Sequence, residues 1–550
     1  MIKQALDRRH AEDRPIEVGF VGAGRMGSGA LAQIGLMRGI RNAIISDLSV
    51  DRAKRAFALC GYDPTQVIVT NNGGVAADAI RARKPVVTED AQLLPRLPVD
   101  VVVDATGNPE LGARIALDSI QCRKHIVMLN VETDVVVGPI LHRMAESAGV
   151  CYTVSSGDEP GLIAEYYDRY AALGFEIVAV GKAPSSIGQF DRYATPESLA
   201  DEARVLGINP HFLTTFRDAT KTMIEMACIS NYTGLVADIR GMHGPIAGVN
   251  DIARLFRPKS EGGILNRRGV VDYARPIKKP NGEIDFDLSV TPGVFLCVYT
   301  NHEQIREDLK YLDVTGSDGY YTMYTPYHLV TNEIPLSIVN AVEFQHPTIV
   351  PKLGIVTEVF GAAKRKLKAG EICDGGGGST VYALNDDYQI ARLENVCRSA
   401  SCPERRSCAT STLIRLSPMI WSNLKPTLYS TSCANCRKRA SAANPSLSPQ
   451  SNSAARTGLQ AATTSKPARG KWMLTSPTRG CSERIINSCA SAATNVPRTG
   501  SRPVSSAVTI TTWPDLRPEG SPSGGKLGVS GSARHAIASA SAAVISAGWP

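Results

Sequence analysis

Apolar positions in the first 390 or so residues fall into short runs separated by longer amphipathic stretches, the alternation expected of an α/β protein. Ile16-Glu17-Val18-Gly19-Phe20-Val21 alternates at period two and predicts a strand, followed by a glycine turn and an apolar helix to about Leu36. Asn42-Ala43-Ile44-Ile45-Ser46 predicts a second strand, ending on Asp47. Residues 99–104 and 124–129 predict two more, each closing on a polar turn: Ala105-Thr106-Gly107-Asn108-Pro109 and Asn130-Val131-Glu132. Residues 151–155 and 175–180 read as further strands, the second ending on Gly181-Lys182. One helix is expected to open at Ser156-Gly157-Asp158-Glu159-Pro160-Gly161, and another over 216–226, with Asp218, Lys221 and Glu225 one turn apart on one face.

From Leu393 onward this pattern stops. Residues 393–550 are rich in Ser, Ala, Arg, Thr and Pro, and their apolar positions follow neither period. Such a composition buries too little surface to offset the entropy of ordering, which predicts a disordered tail. Charge divides at the same place. The net +8 is the sum of +14 after residue 392, where 19 Lys/Arg face 5 Asp/Glu, and −6 before it. The body is therefore mildly acidic and gives no reason to expect nucleic acid as its partner. For the tail three readings compete: a natural basic extension touching nucleic acid, a zinc module on Cys402, Cys408, Cys433 and Cys436, and translation out of frame from near residue 393. Only the Cys433–Cys436 pair has ligand spacing. Out-of-frame reading of GC-rich sequence yields Arg, Ala, Ser, Pro and Cys while losing acids and periodicity, so the third reading is favoured. In the body, Cys60, Cys122, Cys151, Cys228, Cys297 and Cys373 stand singly, as reduced thiols of a cytoplasmic protein do. No signal peptide and no membrane span are expected.

The chemistry begins at the first turn. Gly22-Ala23-Gly24-Arg25-Met26-Gly27 lies between a predicted strand and a predicted helix, the context in which Gly-x-Gly-x-x-Gly cradles a dinucleotide pyrophosphate. Asp47, 20 residues past Gly27, is placed to bind the adenosine ribose hydroxyls, whereas Arg52 or Arg41 could meet a 2′-phosphate. Thr106, Gly107 and Asn130 stand beyond the ends of the next strands, where ligands sit in doubly wound sheets. NAD or NADP is the expected cofactor. His125 begins its strand at the far end and reads as structural.

For catalysis, Lys182 is the first candidate acid or electrostatic clamp, and Lys221, braced by Asp218 and Glu225, the candidate acid/base. Asp158 and Glu159 could hold a divalent metal or substrate hydroxyls, although helix capping explains Asp158 equally well. Tyr327 and His328 approach the cofactor if the helix after Pro326 returns to the first domain. Gly375–Gly378 lacks strand–helix context and reads as a turn.

With these residues in view, the body resembles homoserine-dehydrogenase-like oxidoreductases that carry a C-terminal SAF-type domain, and among them the deoxyxylulose-5-phosphate-reductoisomerase-like enzymes. The matching segments are 21–27, 104–109, 124–132, 157–165, 181–182, 218–226, 323–329 and 363–378. Thr325-Pro326-Tyr327-His328 and Lys364-Arg365-Lys366-Leu367-Lys368-Ala369-Gly370-Glu371 carry the most weight. The resemblance implies a Rossmann domain over 1–157, an α+β catalytic and dimerisation domain over 158–345, and an incomplete SAF-like segment over 346–392. It further implies a homodimer acting on a small sugar-phosphate, polyol or sugar-acid. Homoserine is the alternative substrate, yet the strand-end lysine of true homoserine dehydrogenases is replaced here by Val131 or Glu132. A non-catalytic nucleotide sensor is the reading from another class. A phosphate-binding base near Lys182, with Arg192 as candidate, would favour the sugar-phosphate.

Overall fold

The computed structural model describes residues 1–184, 190–368, 371 and 373–393, together with the backbone of Leu413–Arg415. The rest of the expected tail, with its four zinc-module cysteines, lies outside the described residues.

The first sheet has seven parallel strands: β1 (Ile16–Val21), β2 (Ile40–Ser46), β3 (Ile68–Val69), β4 (Val86–Thr88), β5 (Val101–Asp104), β6 (His125–Met128) and β7 (Tyr152–Val154). Their order is β3-β4-β2-β1-β5-β6-β7, the doubly wound arrangement, with β1 between β2 and β5 at the point where the order reverses. The strands are buried on both faces because crossover helices cover both, which is why they read as nearly continuous apolar runs. Helix Val330–Phe344 comes back to this domain: Ile334, Ile338 and Val339 share one core with Ile16, Phe20 and Leu31.

The second sheet is mixed. It contains β8 (Glu176–Lys182), β9 (Val236–Ala237), β10 (Val270–Tyr273), β11 (Val294–Tyr299), β12 (Gly316–Ser317) and β13 (Tyr320–Thr325), in the order β12-β13-β11-β8-β10-β9. β8 pairs in parallel with β10 and antiparallel with β11. Helices Glu159–Ala172 and Thr220–Thr233 share a core with the face of this sheet that carries Val180, Val271 and Leu296. Residues 222–232 of the second helix are all buried, as a helix enclosed on every side must be.

A small third sheet joins β14 (Thr357–Ala363) to β15 (Val381–Asp387) and β16 (Leu413–Arg415), antiparallel on both sides. Here the sequence boundary needs amendment, because β16 comes from beyond residue 393, where no packed element was expected. Ala383 N–H donates to Thr220 Oγ1 at 3.0 Å and so ties this sheet to the enclosed helix. Among the described residues no helix is long and apolar enough to cross a membrane.

One buried acid links the first two layers. Asp134, on helix Val131–Ala148, accepts from Tyr152 Oη at 3.0 Å and from Cys228 Sγ at 3.3 Å, so it joins β7 to helix Thr220–Thr233. Burial pushes its pKa up to about 6 despite both bonds. A carboxyl with a higher pKa folded than unfolded favours the fold only while protonated. That contribution is complete below about pH 4 and is lost as pH rises through about 6. Asp134→Asn should therefore remove up to roughly 3 kcal/mol from the stability lost between pH 4 and pH 7. Chemical denaturation of the full chain at pH 5 and pH 7.5 checks this. An unaltered pH dependence in the variant would exclude Asp134 as its source.

Candidate active site

The glycine turn has the geometry its spacing requires. Gly22 has φ +95°, and a Cβ there would lie 2.9 Å from Ala105 O; one on Gly27 would lie 2.0 Å from Gly22 O. Gly24 differs, since its Cβ would meet nothing within 4 Å, so the missing side chain leaves open space at the mouth of helix Arg25–Gly35. No side chain caps that helix, whose first turn carries exposed Arg25 and half-buried Met26.

Asp47 is engaged differently from expectation. Its carboxylate accepts the N–H groups of Ala23 and Ser49, each at 2.8 Å, and the Arg52 guanidinium at 2.7 Å. Burial opposes ionisation, but the Arg52 and backbone bonds hold the carboxyl below its usual range. Both oxygens are thus committed, and the expected ribose contact requires displacing a partner. Arg41 lies at the start of β2, paired with Glu17 at 2.6 Å, away from the ligand end of the sheet. Thr106 folds back on Asp104, its Oγ1 donating at 2.7 Å, and Gly107 has φ +64°. Asn130 is buried; it donates to Asp104 and to the Asn108 carbonyl while its Oδ1 caps the following helix. Its side chain therefore shapes the two loops from within. His125 accepts the Cys151 N–H at 3.1 Å.

Beyond the ends of β6 and β8 the structure assembles a chain of alternating charges. Glu132, in the first turn of helix Val131–Ala148, accepts from Lys221 Nζ at 2.9 Å. Lys221 lies 3.8 Å from Glu225, one turn along its own helix. Glu225 in turn binds Lys182, which also meets Glu159 at 2.6 Å. His328 closes the series, with Nε2 3.6 Å from Glu159 and Nδ1 donating to the Pro292 carbonyl at 2.7 Å. Lys182 is 1 % exposed on its side chain and Lys221 12 %, so only the second retains an opening.

Electrostatics follow from this order. Burial disfavours charge on Lys182, but Glu159 and Glu225 outweigh it and its pKa rises. Lys221 is raised in the same way, chiefly by Glu132 and then Glu225. Burial, then the charges of Glu159 and Glu225, push Asp158 well above the carboxylate range, which favours its protonated form beside Glu159. Asp158 occupies the N-cap position of its helix without making a capping bond. Glu159 is held low against burial by Lys182 and His328.

The expected face of Asp218, Lys221 and Glu225 is corrected. The helix predicted over 216–226 breaks into Pro210–Arg217 and Thr220–Thr233, with Ala219 left-handed at φ +64° between them. Asp218 lies at the break and turns away from Lys221, pairing at 2.9 Å with Lys364. Lys364 also donates to the carbonyls of Ala194 and Gly378. The spacing of Asp218 was misleading because it assumed one continuous helix. Glu132 and Lys364 were not singled out from sequence as site residues; a first-turn acid and a lysine in a basic run carry no mark of their buried partners.

Residues 157–334 match the family model described as oxidoreductase DRL, catalytic domain. This stretch contains β8 to β13 and every member of the charge chain except Glu132. The chain is an enzyme of the oxidoreductase class, built on a dinucleotide-binding α/β fold. Solved structures with similar coordinates include a homoserine dehydrogenase from Thiobacillus denitrificans, at 16 % identity and TM-score 0.34, covering 63 % of this chain and 82 % of that one. A probable dehydrogenase from Thermotoga maritima aligns at 12 % identity and TM-score 0.34, over 62 % of this chain and 92 % of its own. GenD2 from gentamicin A biosynthesis, in complex with NAD, aligns at 13 % identity and TM-score 0.32, over 62 % and 90 %. Among curated proteins none matches the chain in sequence.

Removing Lys182 leaves two buried carboxylates without their shared cation. Lys182→Met should lower stability at pH 7 by about 3–5 kcal/mol, and adding Glu225→Gln should recover part of it, since one of the stranded charges goes too. Urea unfolding of the two variants and the parent chain decides this; equal stability of the parent and the single variant would disprove the shared clamp.

Proposed function

We propose that this chain is an NAD(P)-dependent oxidoreductase acting on the carbonyl or hydroxyl of a small sugar-phosphate, polyol or sugar-acid. The observation that carries this reading is Lys221, whose partly open ammonium is tied to Glu132 at the ligand end of the dinucleotide sheet. The nicotinamide, when bound, supplies or accepts the hydride. Everything else falls to the protein. Lys221 Nζ donates a hydrogen bond to the substrate oxygen and, in the reducing direction, gives it the proton that accompanies hydride arrival at carbon. Glu132 and Glu225 keep Lys221 protonated between turnovers. Lys182, enclosed by Glu159 and Glu225, is a positioning residue that fixes Glu225 behind Lys221. Asp218, held by Lys364, positions the start of the same helix through the Thr220 N–H at 2.9 Å.

Asp158, Glu159 and His328 bring ligand atoms within 4.8 Å of one another, and two carboxylates with an imidazole suit a hard divalent cation. Such a cation would take the place of the Asp158 proton and hold substrate oxygens, as a reductoisomerase-like reaction needs. Between the cofactors, the saturated Asp47 carboxylate and the half-exposed Arg52 beside it support NADP, whose 2′-phosphate a guanidinium would meet. Homoserine is less well supported, because Glu132, Glu225 and Glu159, which could meet a substrate amine, are already held by lysines. We further propose a homodimer in the cytoplasm, on the family resemblance and on Cys60, Cys122, Cys151, Cys228 and Cys297, which form no disulfide among the described residues.

Turnover assays with the full chain, both nicotinamide cofactors and a panel of small carbonyl compounds test the reading. Lys221→Ala should lower kcat about 10²-fold with cofactor affinity intact. Wild-type turnover by that variant would remove Lys221 from the chemistry. In fluorescence titrations Gly24→Val should abolish cofactor binding, because a branched side chain would fill the open space over the turn. Arg52→Ala should weaken NADPH about tenfold, a loss of roughly 1.4 kcal/mol, and leave NADH unaffected. An NADPH to NADH ratio unmoved by that substitution would rule out Arg52 as the discriminator.

A further inference from the structure

A cavity of about 270 Å³ lies apart from the charge chain, toward the C-terminal ends of the two helices whose opening turns carry Glu159 and Lys221. Glu165 and Asp168, on one face of helix Glu159–Ala172, line it from one element. Tyr232 lines it from the end of helix Thr220–Thr233, about 16 Å of helix rise beyond Lys221. Residues that follow helix Val330–Phe344 complete the lining and bring in Lys352. The volume falls just short of the roughly 300 Å³ at which pockets for drug-sized ligands begin, so it suits a small metabolite.

Two opposite charges are fixed around one ring and kept from each other. Tyr232, 8 % exposed, donates its Oη to Asp168, while Lys352 Nζ stands 3.7 Å from the centroid of the same ring. An ammonium and a carboxylate held by one side chain would ordinarily pair. Yet Lys352 makes no ion pair with Asp168 or with Glu165 among the described residues. Glu165 has no hydrogen-bonded or ion-paired partner among them either. The walls around these charges are set in advance. Thr348 Oγ1 is bound to Ser156 Oγ at 3.0 Å and to Ser337 Oγ at 2.7 Å, and the Lys352 N–H donates back to the Val350 carbonyl at 2.7 Å. Buried Ile349 and Val350 add apolar surface to the lining. A simple anion would meet Glu165 and Asp168, and a simple cation would meet Lys352. A ligand that carries both signs matches both sides.

We propose that this cavity binds a small α-amino acid. The ligand's carboxylate accepts from the Lys352 ammonium, its ammonium donates to Glu165 and Asp168, and its side chain lies against Ile349 and Val350. No covalent bond is made or broken there. The site is separate from the charge chain, and the inference does not depend on what that chain catalyses.

Calorimetric titration of the full chain with L-alanine, L-serine, L-glutamine and L-leucine tests the site, with propionate and ethylamine as controls that each keep one charge of alanine. At least one amino acid should bind, about tenfold or more tighter than either control. Lys352→Met and Glu165→Gln should each weaken that binding about tenfold, and Tyr232→Phe, which releases Asp168, about threefold. Lys221→Ala should leave it unchanged. Glu165 and Lys352 are exposed, so thermal melts of their variants should match wild type, and Lys352→Arg, which keeps the charge, should retain binding. These two measurements separate lost contacts from lost folding. No binding by any of the amino acids, equal binding of propionate or ethylamine, or indifference to both Lys352→Met and Glu165→Gln would each overturn the site. Binding lost in Lys221→Ala but kept in Lys352→Met would place the amino acid at the charge chain and overturn it as well.

Discussion

The interaction on which the site depends is the buried ion chain from Glu132 through Lys221, Glu225 and Lys182 to Glu159. Its members come from helix Val131–Ala148 of the dinucleotide domain, from the enclosed helix Thr220–Thr233, from β8 and from the start of helix Glu159–Ala172. No one element can shift without exposing a charge to apolar surroundings. Isolated ions in such a setting cost several kcal/mol each, and the alternation of sign is what makes their burial tolerable. An apolar set of similar volume would hold the layers together at least as well, so the retained charges point to a use beyond stability.

The two lysines differ in their exposure. Lys182 has carboxylates on both sides and almost no open surface, which makes it a fixed part of the wall. Lys221 has the same sign and similar partners but keeps a small exposed surface, its Nζ reaching Glu132 in the helix that follows β6. The difference comes from position. Lys182 ends a central strand beneath a helix, whereas Lys221 occupies the first turn of a helix whose entry is fixed by the left-handed Ala219 and by Asp218 bonding the Thr220 N–H. The third sheet reinforces this entry through Lys364 and through the Ala383 bond to Thr220. A segment distant in sequence thereby sets the placement of the candidate acid.

Much of the dinucleotide domain was legible in the sequence because its signals are local. Period-two runs, Gly22, Gly24 and Gly27 at fixed spacing, and polar turns after strands report on neighbouring residues only. Period-two reading does not reach the short strands Ile68–Val69 and Val86–Thr88 of the parallel sheet, nor β9 to β13 of the mixed sheet, because runs of two to six residues carry little periodic signal. The site was legible in part. Lys182, Lys221 and Glu225 were picked from strand ends and helical spacing, and they do meet. Asp218 was drawn into the same group only by assuming an unbroken helix. Asp47 sits where the motif spacing places it, but its engagement by Arg52 depends on the turn at Ser49, which the spacing does not describe.

Charge balance limits what this centre can accept. The chain around Lys182 and Lys221 sets two lysines against Glu132, Glu225 and Glu159, so its carboxylates outnumber its lysines even with Asp158 protonated. A dianionic substrate would be repelled there: two unit charges 4 Å apart interact by about 4 kcal/mol at the effective dielectric of a protein surface. Lys221 alone could not overcome this, since its own carboxylates already claim most of its field. A polar, uncharged carbonyl or hydroxyl is acceptable at that centre, and any phosphate must be held elsewhere.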